Sequence, residues 1–298
     1  MADAERAAGR AVIVISSHVA RGTVGNRAAV FALETAGLPV WAVPTVILPW
    51  HPGHGRATRI VPPADEFSAL LGDLAAAPWL GEVGAVLSGY LGGPEQAEAV
   101  ARLVGAVKAR NPGALYLCDP VMGDVGGLYV PEATASAMRD LLVPLADIAT
   151  PNRYELEWLA GEELPDNGAV ARAALALAPP TMLVTSAHAL MAGSIGNLLV
   201  TGREAVLVEH RAVPNAPHGT GDLLSALFLA RLVNGQSEAK ALQTATAAVF
   251  EVLARAVKRG ADELMLETDA QSLVHPMAMV QVRRLVHPSG GHDGGRRA

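Results

Sequence analysis

The stretch most able to do chemistry is Gly219-Thr220-Gly221-Asp222, followed at once by the apolar run 223–233. Glycines at a loop-to-helix junction let several backbone N–H groups converge on one anion, and the helix dipole adds partial positive charge. An aspartate there repels phosphate unless it has another task. That task is to take a proton from a hydroxyl attacking a phosphoryl group held by the amides. The plainer alternative is that Thr220 or Asp222 caps the helix and the glycines only turn the chain. The loop is not a Walker A sequence, because no Gly-Lys-Ser/Thr follows.

Two more constellations follow strand candidates, where open α/β sheets bind ligands. Cys118-Asp119-Pro120-Val121-Met122-Gly123-Asp124 places two carboxylates in one loop. Thr150-Pro151-Asn152-Arg153-Tyr154-Glu155 opens a helix candidate. Together they offer oxygen ligands for a Mg²⁺ ion riding on nucleotide phosphates, directly or through water. Turn chemistry at Asp119-Pro120 and Thr150-Pro151, and capping by Asn152, are the plainer readings. His51 and His54 are too few to make a metal site; a loop closing on substrate or a satisfied surface pair accounts for them better. Cys118 ends an apolar run and reads as a small buried hydrophobe rather than a nucleophile.

These loops need elements to hold them. Apolar runs at 12–16, 40–43, 85–88, 115–118, 147–149 and 182–185, several of them rich in β-branched residues, predict strands covered on both faces. Ala- and Leu-rich stretches at 25–35, 66–76, 95–110, 132–142, 155–160, 169–177, 222–233 and 238–258 predict helices. Residues 197–200 and 205–209 predict an antiparallel hairpin. The alternation predicts an α/β fold, doubly wound, with a mostly parallel central sheet and helices on both faces. There is no repeat and no dividing linker, so 1–286 reads as one domain. Residues 287–298, rich in Gly, His and Arg with little to bury, read as a disordered tail.

The bulk composition excludes several classes. Of 298 residues 51% are hydrophobic but only 4% aromatic, so Ala, Val and Leu must build the core. A net charge of −6 leaves no footprint for nucleic acid. The single cysteine rules out an intrachain disulfide and suits a reducing compartment. Residues 1–10 mix charges with alanines, and the apolar run 12–15 is too short for a signal peptide or a membrane span. The expectation is a cytoplasmic protein with no membrane or nucleic-acid partner.

Asp-Pro-Val-Met-Gly-Asp, Thr-Pro-Asn-x-x-Glu and Gly-Thr-Gly-Asp in this order resemble the ribokinase-like superfamily. Ser16-Ser17-His18-Val19 with Gly25-Asn26, Leu87-Ser88-Gly89-Tyr90 and Gly127-Leu128-Tyr129-Val130-Pro131-Glu132 are similar to pyridoxal kinases within it, a likeness running from about residue 12 to about 257. The resemblance implies that Asp222 is the catalytic base for the 5′-hydroxyl of pyridoxal, with Gly219, Thr220 and Gly221 as the anion hole. It implies that Asp119, Asn152 and Glu155 organise Mg²⁺ and the ATP phosphates, with Asp119 and Glu155 toward the metal. Thr150, Thr185 and Ser186 would lie along the nucleotide, and Asp124 and Tyr129 near the phosphate-transfer region. Ser17 and Tyr90 would face the pyridine ring, with Val19 packed near it and His51 on the loop beside it. The resemblance further implies a homodimer and a monovalent cation such as K⁺.

The chain departs from that pattern at 48–55. Many pyridoxal kinases carry Ser-Asn-His-Thr there, with the Thr on the ring; here His51 is kept and Pro52 replaces the Thr. Pro52 donates no hydrogen bond, so ring recognition must differ locally. The proline-rich run 213–218 before the anion hole is a second departure. A hydroxymethylpyrimidine kinase of the same superfamily competes, but those enzymes more often carry Cys after the Gly-Thr-Gly, where this chain has Asp222. A carrier that has lost catalysis also competes. Keeping Asp119, Asn152, Glu155 and Asp222 together argues against it, since a pure binder needs no base.

Overall fold

Alternation along the first strand shows how the layers arise. In this computed structural model, which describes residues 10–287, β1 (Ala11–Val19) is buried on both sides. Val12 and Val14 pack with helices α1 (Asn26–Thr35), α7 (Thr220–Val233) and α8 (Glu238–Lys258). Ile13 and Ile15 pack on the opposite side with α2 (Ala64–Ala76) and α3 (Glu95–Arg110). Successive strand residues point to opposite faces, so one apolar run serves two helix layers.

The other strands are β2 (Val40–Leu48), β3 (Val83–Ser88), β4 (Leu115–Cys118), the short pair β5 (Gly123–Asp124) and β6 (Gly127–Leu128), β7 (Ile148–Ala149), β8 (Thr181–Ala187), β9 (Ser194–Thr201), β10 (Ala205–Arg211) and β11 (Gln281–Leu285). Nine form one sheet in the order β11-β10-β9-β8-β7-β4-β3-β1-β2. From β2 to β8 neighbours run parallel, while β9, β10 and β11 add antiparallel. The sheet is therefore mostly parallel with helices on both faces. The chain leaves β1 for β2 on one side and returns to β3 on the other, which opens a crevice at the C-terminal ends of β1 and β3.

The remaining helices are α4 (Glu132–Ala137), α5 (Arg153–Ala160), α6 (Asn167–Ala176) and α9 (Ala270–Val274). The helix expected over 132–142 keeps regular hydrogen bonding only to Ala137 and continues as a π-helical turn, Met138–Leu142. β2 runs five residues beyond the expected 40–43, because the 55–60 segment folds back and Ile60 bridges Ile47. β11 was not foreseen, and the Arg283 guanidinium on it reaches the fully buried Glu209 carboxylate at 3.0 Å. The tail expected at 287–298 lies outside the described residues except for His287, whose Nε2 is 2.8 Å from the Thr201 carbonyl oxygen. No helix among the described residues is long and apolar enough to cross a membrane.

Candidate active site

The crevice holds a cavity of about 450 Å³, within the range of sites that enclose a small ligand. On its β1 side, Ser17 sits where the β1–β2 register slips between Ser16 and His18. Such a bulge re-aims a side chain, and Pro44 is tolerated there because β2 is an edge strand. Tyr90 follows β3, with its amide on Ser16 Oγ at 3.2 Å and its carbonyl accepting Thr45 Oγ1 at 2.6 Å. Both Ser17 and Tyr90 line the cavity, as does His51.

The far side is acidic. Asp119, Asp124, Glu155 and Asp222 all line it, with Tyr129, Thr150, Asn152 and Thr185. Glu155 is fixed most firmly. With Asn152 it closes a capping box at the head of α5: the Glu155 amide donates to Asn152 Oδ1 at 2.9 Å and the Asn152 amide to Glu155 Oε2 at 2.8 Å. Oε1 also accepts from the Met122 and Gly123 amides at 2.9 and 3.3 Å, and Asn152 Nδ2 donates to the Gly123 carbonyl at 2.7 Å. Capping and site-building are thus one interaction, and they clamp the Asp119–Asp124 loop onto α5. Burial nevertheless pushes the Glu155 carboxyl up to about 7.

Asp119 is 6% exposed, and burial first, then the charges of Glu155 and Asp222, raise its carboxyl well above the usual range. Ser225 supports it from inside α7, its Oγ 3.1 Å from Asp119 Oδ2 and 2.9 Å from Thr150 Oγ1. Such crowding asks for a cation or a proton. Three amides leave Glu155 little capacity for direct ligation, whereas Asp119 is met only by the hydroxyls of Ser225 and Thr150. That donor set fits a hard cation that keeps most of its ligands as water and phosphate oxygen.

Asp222 lies in the first turn of α7, at the entrance to the 219–221 loop. Its surface opens to the cavity rather than to bulk water, and desolvation raises its carboxyl to about 6 against the pull of amide bonds from Gly25 and its own N–H. Gly25 heads α1, so two helix N-termini converge on this one carboxylate. Gly219 has φ +94°, and a methyl group there would overlap the Thr23 carbonyl oxygen, so only glycine fits. Gly219 and Gly221 line the cavity.

Three expected residues do not line it. Val19 is fully buried in β1, Thr220 forms the first residue of α7 behind its amide, and Ser186 is exposed at φ +52°. His51 and His54 are not a pair. The His51 ring meets His218 at 4.0 Å between centroids, while His54 Nε2 lies 2.9 Å from Glu263 Oε1. Sequence reasoning passed over His218, Arg59 and Ser225. His218 carried a signal, being one residue before the anion loop; Arg59 and Ser225 carried none. The Cys118 thiol is fully buried and pushed up to about 12 by that burial, which leaves it inert.

The family model for phosphomethylpyrimidine kinase matches residues 79–267. A Rubrobacter xylanophilus protein named pyridoxal kinase PdxY is 42% identical over 281 residues, which is 92% of this chain and 97% of that one. Its namesake in Pseudomonas entomophila is 38% identical over 93% of this chain and 98% of its own. Among solved structures, the pyridoxal kinase of Leishmania donovani in complex with ADP and pyridoxamine superposes with a TM-score of 0.87 at 28% identity, covering 93% of this chain and all of that one.

Proposed function

This chain belongs to the pyridoxal kinase family of the ribokinase-like superfamily, and from that membership we propose that it transfers the γ-phosphoryl group of ATP to the 5′-hydroxyl of pyridoxal. The observation that carries the reading is Asp222, a carboxylate raised to about 6 between two helix N-termini in one cavity with Ser17 and Tyr90. A base poised just below neutral pH accepts a hydroxyl proton as the oxygen attacks. The amides of Gly219, Thr220 and Gly221, with the dipole of α7, stabilise the charge spreading over the transferred phosphoryl oxygens. Thr150, Asn152 and Thr185 line the acidic side of the cavity, where the nucleotide would run. Asp119 would hold Mg²⁺, with Glu155 acting through water; when bound, the ion would offset phosphate charge.

The family model's own name keeps a hydroxymethylpyrimidine kinase in view. Asp222 after Gly-Thr-Gly, and relatives aligned along nine-tenths of the chain, favour the pyridoxal reading. A cytoplasmic setting suits the lone buried thiol. A homodimer rests on the resemblance and is tested by sedimentation. The function itself is tested by ADP release with Mg-ATP and pyridoxal, pyridoxine, pyridoxamine or hydroxymethylpyrimidine in parallel. Pyridoxal-dependent release with pyridoxal phosphate formed upholds the reading. Preference for hydroxymethylpyrimidine, or binding without turnover, overturns it.

A further inference from the structure

Arg59 is the only lysine or arginine among the residues lining the cavity, and the function assigned above gives it no task. It sits on the segment that returns along the edge of β2, where Ile47 and Ile60 exchange hydrogen bonds of 2.8 and 3.0 Å. Its Nη2 donates to the Gly92 carbonyl at 2.8 Å and lies 3.4 Å from the Tyr90 hydroxyl. Among the described residues no carboxylate lies within ion-pair distance of it, and Nε and Nη1 make no hydrogen bond. The guanidinium is therefore tethered by one corner, beside the ring-facing end of the cavity, with the rest of its donor fork unspent. Pro52, on the same loop, offers no donor at all.

We propose that Arg59 selects among the B6 vitamers by reading the C3 and C4 substituents of the pyridine ring. This rests on the functional reading above. Pyridoxal carries a phenolic oxygen at C3 and an aldehyde oxygen at C4, two neighbouring acceptors that match a planar guanidinium fork. Pyridoxine replaces the aldehyde with a neutral hydroxyl that still accepts. Pyridoxamine puts an ammonium at the same place, where a guanidinium repels it. The order of preference is then pyridoxal, pyridoxine, pyridoxamine.

The test measures kcat/KM for the three vitamers, and KM for ATP, in wild type, Arg59→Ala and Arg59→Glu. Arg59 is exposed, so neither change threatens the core. The pyridoxal-to-pyridoxamine ratio should fall by about fivefold in Arg59→Ala and by about tenfold or more in Arg59→Glu, the size of a partly solvated charge interaction removed and then inverted. Arg59→Lys, which keeps the charge but not the fork, should retain the bias against pyridoxamine and lose part of the gain for pyridoxal. Ratios unchanged in both charge-altering variants, or an effect confined to KM for ATP, would overturn the proposal while leaving the kinase reading intact. A wild type that turns over none of the vitamers would remove the functional reading, and this inference with it.

Discussion

The rings of His51 and His218 lie 4.0 Å apart at a tilt of 31°, so the loop after β2 and the loop before α7 touch at the cavity. His51 Nδ1 accepts from the Gly53 amide at 3.1 Å, which favours the neutral ring. Burial, and then the neighbouring His218 and His54, lower His51 from 6.5 to about 4. On acidification between those values the unfolded chain takes up a proton that the folded ring refuses, which draws the equilibrium toward unfolding. His51→Gln should accordingly show a shallower fall in Tm over that window, read by calorimetry. Equal slopes in variant and wild type would mean the stack does not set the titration.

Asp222→Asn should keep ATP binding and lower kcat by about a hundredfold or more, the usual size of general-base catalysis. Isothermal titration with a non-hydrolysable nucleotide and steady-state kinetics separate the two. Near-normal turnover in a folded variant would take the proton-accepting role from Asp222.

The same carboxylate sets a pH limb. With Asp222 raised to about 6, kcat/KM for pyridoxal should decline as pH falls through about 6, because the protonated acid accepts no proton. Asp222→Asn should lack the limb. The contribution to stability has the opposite sense to that of His51: a carboxyl raised in the fold favours folding at low pH and loses that contribution as pH rises through about 6.

Glu155→Ala strands the Met122, Gly123 and Asn152 amides, which now meet one carboxylate. Buried donors left unpaired cost about 1–3 kcal/mol each before relaxation, so a net loss of about 2–4 kcal/mol is expected in urea unfolding. Turnover should fall too, as the Asp119–Asp124 loop is released.

Gly219→Ala forces a side chain into φ +94° and against the Thr23 carbonyl. Strain at that φ alone costs about 1–3 kcal/mol. The expected readout is a kcat loss larger than the loss in pyridoxal binding, since the amide loop moves more than the ring pocket.

Much of this was legible because parallel strands buried on both faces announce themselves as apolar runs, and the loops that follow them carry the acids. Asp119 and Glu155 were singled out that way, and Asp222 by the Gly-Thr-Gly at a loop-to-helix junction. β11 was not, because Gln281-Val282-Arg283-Arg284-Leu285 is an exposed edge strand whose pairing is decided by Glu209 and β10 rather than by its own pattern. The π-turn at Met138–Leu142 buries Met138 and Leu142, four residues apart as on an α-helix, and so leaves no trace in sequence. Val19 went astray because β1 continues past Ser17, turning that side chain inward. Arg59 reaches the cavity only through the Ile47–Ile60 bridge, a tertiary event with no local signature. Ser225 looked like one more small residue in an apolar helix until Asp119 and Thr150 came to face it.

Gly219 rests against the Thr23 carbonyl, and Gly25 against the Ser17 carbonyl and hydroxyl, each approach too close for even a methyl group. The segment between Ser17 and α1 is thus a shim of bare backbone between the end of β1 and the 219–221 loop. In the proposed reaction its thickness sets the gap that the phosphoryl group would cross. Side chains around the rim can then drift, and vitamer choice with them, without altering that gauge; a single residue inserted between 22 and 25 would reset it.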